Sequence, residues 1–365
     1  MENKPILVHV TASLSLGGAE TVLYSLVQGL QQDYTQYVIS LHDGPFKEKI
    51  QKVGVPVFII SGFALLRLWR VLRELNPAVM HSLLWSANAL MRIYARQYNK
   101  KLICAIHSPF NANTGNRLLR TLFDRITAEW ATRTVFVSPG LLKQAAIAAS
   151  VPAHQRVIIL NGISVDELHA LAQKNIKTRG ELGLNAEHFV IGTVGRLVPV
   201  KNQKLLIKLI NDLRVTYPHV RLIIVGHGPL QYELERHIHE FNLQKYIIIT
   251  RGSGYEYYQL FDCFVQPSFT EGLSMALLEA LSFKLPVLVS SVNGEHDVIT
   301  HGENGFIFDP QSLNDLVKSI EQVMDNYELC VQMGECAYAL VQKQYTTQVM
   351  VQAYRQLFDG INPPG

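Results

Sequence analysis

Two carboxylates eight residues apart, Glu271 and Glu279, bracket the segment of this chain best suited to polar-ligand chemistry. The run Pro267-Ser268-Phe269-Thr270-Glu271-Gly272-Leu273-Ser274-Met275-Ala276-Leu277-Leu278-Glu279-Ala280 follows a short apolar stretch, 263–266, and opens into a helical pattern. Glu271 is then in a strand-to-helix loop, and Glu279 projects from the helix about two turns further on. Gly272 lets the backbone approach a ligand closely. The amides of Leu273, Ser274 and Met275 are expected to form the first helical turn, a favourable place for a diphosphate. A carboxylate in such a pocket is repelled by phosphate but accepts hydrogen bonds from vicinal hydroxyls, which sugars carry. The ordinary alternative is an N-capped amphipathic helix with two solvated glutamates.

A second loop, Gly195-Arg196-Leu197-Val198-Pro199-Val200-Lys201-Asn202, also lies just beyond an apolar run. Arg196 supplies a planar fork and Lys201 a point charge, a pairing suited to a diphosphate, although a solvated surface loop has the same composition. His107 ends the run 102–106 and precedes Ser108, Pro109 and the polar stretch 111–116. A lone histidine is often structural, and the chain has 13 of them, but a strand's carboxyl end is a usual place for a ligand contact. Gly17 and Gly18 fill the corresponding loop near the amino terminus, ahead of a helix expected at 19–30.

The elements that must hold these residues alternate between short β-branched runs and longer helical stretches, as in parallel sheets covered by helices on both faces. Strands are expected at 6–10, 36–41, 55–60, 79–81, 102–106, 134–137 and 157–160. A second series is expected at 189–194, 221–225, 246–249, 263–266, 287–290 and 305–308. Residues 170–188 are polar, contain Gly180, Gly183 and Asn185, and hold no sheet-like run, so the boundary between two domains is placed there. Two such domains facing each other would bring strand ends from both halves onto one small molecule.

The composition removes several classes. The 365 residues are 48% hydrophobic and 17% charged with a net charge of +3, which is globular and gives no global basic excess for nucleic acid. Four cysteines without a C-x-x-C spacing argue against a disulfide framework or a thiolate zinc site and fit a reducing cytosol. Neither glycine loop reads G-x-G-x-x-G or ends in Gly-Lys-Ser/Thr, which disfavours dinucleotide chemistry and Walker-type phosphate loops. Asp-x-Asp, metal-spaced His/Asp/Glu clusters and Gly-x-Ser-x-Gly are also missing. The amino terminus lacks a signal-like apolar core, and residues 75–91 are too polar for a hydrocarbon span. Residues 61–101 carry seven basic side chains (Arg67, Arg70, Arg73, Arg92, Arg96, Lys100, Lys101) against Glu74. The stretch 65–73 reads either as a basic interfacial helix or as an ordinary helix packing its apolar side chains (Leu65, Leu66, Leu68, Trp69, Leu72) on a sheet, and the second reading is favoured.

Glu271-Gly272 followed by Glu279-Ala280 resembles the E-x7-E signature of the family 4, or group 1, retaining glycosyltransferases. The resemblance runs along most of the chain: Gly17-Gly18-Ala19-Glu20, His107, Asn161-Gly162-Ile163, Gly195-Arg196 with Lys201, Gly226 to Pro229, Gly252, Pro267-Ser268, Pro286-Val287, Gly294 and Gly302-Glu303-Asn304-Gly305. It implies the GT-B fold, an α/β arrangement of two Rossmann-like domains facing a cleft. An acceptor-binding domain would occupy 1–170, a nucleotide-sugar-binding domain 171–345, and a C-terminal helix, 346–365, would cross back to the first domain. It implies a UDP- or GDP-sugar donor, no metal or other cofactor, and a glycan or lipid-linked acceptor of cell-surface polysaccharide or lipopolysaccharide assembly. The work would be cytoplasmic, with peripheral contact to an anionic membrane and no nucleic-acid partner. By the same resemblance Glu279 meets the ribose hydroxyls, Arg196 and Lys201 hold the diphosphate, and Glu271 with Gly272, Leu273 and Ser274 meets sugar and phosphate. Gly17, Gly18 and His107 would reach the donor from the other domain, with His107, Glu271, Arg196 and Lys201 as catalytic residues. Lys284 and Asn202 stand where the family commonly has glycine, Asn293-Gly294 replaces its Gly-Gly, and Asp297 its glutamate. A nonhydrolysing sugar-nucleotide epimerase and a non-catalytic nucleotide-sugar-binding protein are the alternatives.

Overall fold

The computed structural model describes residues 4–60, 65–108, 117–143, 150–175, 177–292 and 296–361. Asn293-Gly294, the stretch 111–116 and the start of the basic run at 61–64 lie outside the described residues. The chain divides into two units, Met1–Gly162 with Thr347–Gly365, and Ile163–Thr346.

The first unit alternates β1 (Ile6–Thr11), α1 (Gly18–Gly29), β2 (Thr35–Ser40), α2 (Phe46–Lys52), β3 (Val57–Ile59), α3 (Leu65–Leu75) and β4 (Val79–Leu83). It continues through α4 (Trp85–Tyr98), β5 (Leu102–Ile106), α5 (Arg117–Thr127), β6 (Arg133–Phe136), α6 (Pro139–Lys143) and β7 (Arg156–Ile158). The second holds α7 (Val165–Lys174), β8 (Phe189–Val194), α8 (Gln203–Thr216), β9 (Val220–Val225), α9 (Gln231–Glu240), β10 (Ile247–Thr250) and β11 (Cys263–Gln266). After these come α10 (Met275–Ser282), β12 (Val287–Ser290), β13 (Phe306–Phe308), α11 (Leu313–Asp325) and α12 (Tyr327–Gln344).

Among the described residues there is one sheet per unit, β3-β2-β1-β4-β5-β6-β7 and β10-β9-β8-β11-β12-β13. The strand pairings are parallel, with registers such as Val8↔Tyr37, Val8↔Met80 and Phe264↔Val287. Strands covered on both faces read as apolar runs rather than alternating ones, which is why 221–225, apolar from Leu222 onward, and 287–290 were legible as strands. Every strand expected from the sequence is present with small shifts at its ends.

The units divide at Gly162 and Ile163, earlier than the polar stretch 170–188 suggested. The reason is α7, which packs with the second unit: the His169 Nε2 lies 2.9 Å from the Ser282 carbonyl, and its ring sits 4.9 Å from that of Phe283. The chain enters and leaves this unit side by side, Ile163 donating to the Tyr345 carbonyl at 2.9 Å. The last helix, α13 (Thr347–Ile361), starts afresh and packs on the first unit, where Arg355 meets Asp33 at 2.9 Å and the Gly29 carbonyl at 3.2 Å.

Both non-glycine residues at glycine-prone positions adopt left-handed backbone, Asn202 at φ 53° and Lys284 at φ 60°. Asparagine tolerates this region; lysine is disfavoured in it. Lys284 nonetheless closes α10 with a Schellman turn, its amide bonding the Leu281 carbonyl at 3.0 Å and the next amide, of Leu285, the Ala280 carbonyl at 3.4 Å. Its ammonium is held by Glu335 at 3.0 Å and over the Tyr338 ring at 5.0 Å, both on α12. Gly334 of α12 lies so close to this turn that a Cβ there would stand 2.1 Å from the Lys284 carbonyl oxygen. Gly334→Ala should therefore cost about 1–3 kcal/mol of stability. A thermal melt several degrees below wild type is expected; an unchanged melt would show that α12 does not press on the α10 turn.

Candidate functional site

In the second sheet the chain steps outward from β8 to β9 and β10 on one side, and from β11 to β12 and β13 on the other. The loops after β8 and β11 thus leave adjacent strands toward opposite sides, the crevice position where open α/β sheets bind ligands. Both chemistry-bearing segments emerge there. The β8 loop is buttressed by the loop after β9: Leu197 donates to the His227 carbonyl at 2.9 Å, and a Cβ on Gly226 would lie 1.9 Å from the Gly195 carbonyl oxygen. The β11 loop is fastened to it by the Phe269 amide, 2.8 Å from the Val200 carbonyl.

Across this seam the Lys201 ammonium forms an ion pair with Glu271 Oε1, both side chains mostly buried. Ser268 Oγ donates to the same carboxylate oxygen at 2.6 Å. The sequence reading gave Lys201 to phosphate and Glu271 to sugar; the fold makes them one unit, a cation whose position is fixed by a carboxylate. Arg196 is exposed at the head of the loop, and its carbonyl accepts from Gln203 Nε2 at 2.9 Å.

The start of α10 differs from the expectation. Ser274 is the N-cap, accepting from the Leu277 amide at 3.3 Å and donating to Gln266 Oε1 at 2.8 Å, so the first turn is Met275 to Leu277 rather than Leu273 to Met275. Serine's preference for the cap decides this, because its side chain takes up an amide that the helix leaves unpaired. Gly272, Leu273 and Ser274 form the buried approach to that turn.

Glu279 lies half-buried on α10, its carboxylate beside the residues before β11. Tyr258, wholly buried, donates its phenol to Glu279 Oε2 at 2.8 Å and stacks on Phe283 at 5.2 Å. Burial pushes the Glu279 carboxyl up to about 7, and the Tyr258 hydrogen bond only partly opposes this. Tyr258 is the participant that the sequence reading missed. It is 21 residues before Glu279, and no local motif links the two.

In the first unit Gly17 caps α1 and Gly18 begins it. The loop before them is tied down by buried Glu20, which accepts from Ser13 Oγ at 2.8 Å and Ser15 Oγ at 3.4 Å. His107 follows β5. Both its ring nitrogens are buried without a hydrogen-bond partner among the described residues, and burial lowers its pKa to about 4. It is therefore a neutral imidazole at neutral pH, a donor and acceptor awaiting partners rather than a cation.

Of the seven cations in the basic run 61–101, two have acid partners, while Arg67, Arg73 and Arg96 are exposed. Arg92 is buried against Asp124, Arg70 pairs with Glu74, Lys100 bonds Asn76 Oδ1, and Lys101 bonds the Ile361 carbonyl. Leu68 and Leu72 of α3 are buried in the first unit's core, so this helix packs on its sheet as the favoured reading held.

Residues 174–340 match the family model described as glycosyl transferases group 1, and residues 16–167 that of glycosyltransferase family 4. The chain belongs to the group 1 glycosyltransferases. Among relatives of this group 1 glycosyltransferase is an uncharacterized glycosyltransferase of Haemophilus influenzae, 26% identical over 362 residues and matched over 93% of this chain and 96% of its own. Another, from Escherichia coli, is a UDP-Gal:alpha-D-GlcNAc-diphosphoundecaprenol alpha-1,3-galactosyltransferase, 29% identical over 50% of this chain and 49% of its own. Anabaena HepE in complex with UDP-glucose shares the fold at a TM-score of 0.85 with 19% identity, over 98% of this chain and 100% of that one.

A half-buried carboxyl with a raised pKa burdens the fold. Glu279 is favourable in its protonated form, so its contribution is intact below the unfolded value near 4.5 and is lost as pH rises through about 7. Glu279→Gln should therefore raise the melting temperature of the free protein at pH 8, with the gain shrinking toward pH 5. A melt insensitive to the substitution at pH 8 would show that the carboxylate is solvated.

Proposed function

We propose that this glycosyltransferase is a retaining, metal-independent hexosyltransferase that moves a sugar from a UDP- or GDP-sugar to a glycan or lipid-linked acceptor. The reading is supported chiefly by one arrangement: Lys201 locked to Glu271 across the β8 and β11 loops, beside the Ser274-capped start of α10, with Glu279 farther along that helix. Glu279 accepts from the ribose hydroxyls. Arg196, Lys201 and the α10 start, with Gly272, Leu273 and Ser274, hold the diphosphate. As the bond from the anomeric carbon to the diphosphate oxygen breaks, these cations and amides take up the charge left on the leaving group. The acceptor oxygen bonds to the same face of the anomeric carbon, and its proton passes to the departing diphosphate. In the first unit Gly17, Gly18 and His107 are the residues suited to a sugar, with His107 acting as a neutral hydrogen-bonding group.

The acceptor belongs to cell-surface polysaccharide or lipopolysaccharide assembly, handled in the cytoplasm at the inner face of the membrane. The E. coli relative, whose name carries a diphosphoundecaprenol-linked acceptor, supports this choice. Among the described residues no helix is long and apolar enough to cross a membrane, so the contact proposed is peripheral.

Removal of a carboxylate that accepts from two hydroxyls costs about 1.5–3 kcal/mol, so Glu279→Ala should weaken donor binding by about tenfold to a hundredfold or more with the fold intact. Calorimetry showing unchanged affinity would overturn the ribose assignment. Transfer should survive EDTA, whereas Arg196→Ala and Lys201→Ala should slow turnover even with magnesium present. Loss of transfer in EDTA with recovery on adding magnesium would overturn the metal-free reading.

A further inference from the structure

The helix α5 is seated on the first unit by its polar side. Asp124 and Thr127 face inward, where buried Arg92 reaches Asp124 Oδ1 at 2.5 Å and Thr127 Oγ1 at 3.3 Å, and Trp85 Nε1 donates to Asp124 Oδ2 at 3.2 Å. Arg120 adds a guanidinium 4.6 Å from the Trp85 ring centroid. The aliphatic side is left outside: Leu118 is 83% exposed, Leu119 63%, Leu122 53% and Ile126 57%. At about 100° per residue these four fall within one sector of the helix, opposite Asp124 and Thr127. A surface helix of a globular unit ordinarily has the reverse arrangement, and a cluster of exposed aliphatics marks an interaction site. The neighbouring helix α4 adds exposed Ile93 and Arg96.

Charge selects the occupant. The one acid of α5, Asp124, is occupied by Arg92, whereas Arg125 is exposed beside the aliphatic sector. Two copies of the chain meeting through this face would bring cations to both sides of the seam, with Asp124 already taken by Arg92. A lipid surface with anionic headgroups accepts both the aliphatics and the cations, the combination that interfacial helices use.

We propose that the outward face of α5 docks the protein on an anionic phospholipid bilayer, with Leu118, Leu119, Leu122 and Ile126 entering the acyl boundary and Arg96 and Arg125 meeting lipid phosphate. This deepens the peripheral contact proposed above, joining the outward face of α5 to Arg96 of the basic run, and it does not depend on the identity of donor or acceptor.

The test is co-sedimentation of the full chain with vesicles of phosphatidylcholine alone and of phosphatidylcholine with phosphatidylglycerol. Wild type should partition more strongly onto the anionic vesicles. The triple variant Leu118→Ser, Leu122→Ser, Ile126→Ser should lose at least about tenfold in partitioning, while its thermal melt and calorimetric donor binding match wild type. Arg125→Glu should weaken binding to the anionic vesicles selectively. Equal partitioning of wild type and triple variant, or no partitioning of wild type onto anionic vesicles, would overturn the proposal. Wild-type dimerisation in sedimentation velocity that the triple variant abolishes, without vesicle binding, would assign the face to a second copy instead. Loss of donor binding in wild type would strike the proposed function and leave this result standing.

Discussion

The ion pair between Lys201 and Glu271 is the interaction on which the second unit's site is organised. Parallel sheet order places β8 beside β11 and sends their following loops apart, so two loops of distant sequence begin next to each other. Without a bond across that seam, each would hold a charged side chain at the end of a flexible stem. The pair, the Ser268 hydroxyl on the same carboxylate and the Phe269 amide on the Val200 carbonyl bind the loops into one rigid edge. A mostly buried pair of this kind stabilises the fold little by itself, because desolvation offsets most of the attraction. Its value is positional: it fixes the Lys201 ammonium in place, and in the proposed reaction that is where leaving-group charge is received.

Glu279 illustrates the opposite economy. Its carboxyl is half-buried, has one phenolic donor, and is pushed toward protonation. A residue kept in such surroundings for stability alone would be better replaced by an amide or an apolar side chain. His107 fits the same pattern in the first unit, buried with two unpartnered nitrogens. His9 shows what a structural histidine looks like here: its Nδ1 lies 3.0 Å from that of His81, and its Nε2 meets Gln36 at 3.1 Å.

The strands and the two loops were legible in the sequence because both signals are local. Doubly covered parallel strands print as apolar runs such as 222–225, and a glycine-bearing loop between such a run and a helix prints as a ligand loop. What was not legible depends on contacts between distant segments. Lys201 and Glu271 are 70 residues apart, and only sheet order makes them neighbours. Tyr258 is invisible as a partner of Glu279 for the same reason. The basic run 61–101 was legible only as composition, because net charge does not reveal which arginine is buried, and Arg92 is. Lys284 looked like a disturbed turn, yet its left-handed backbone is held by α12, an element that follows much later in the chain.

The most direct measurement of the central claim is a double-mutant cycle on kcat/KM for transfer, using Lys201→Met, Glu271→Gln and the two together. If the pair acts as one unit, the double variant should lose far less than the product of the two single losses, since either substitution alone already frees the other partner from its place. Losses that multiply independently would contradict the account and separate the two residues into unrelated roles.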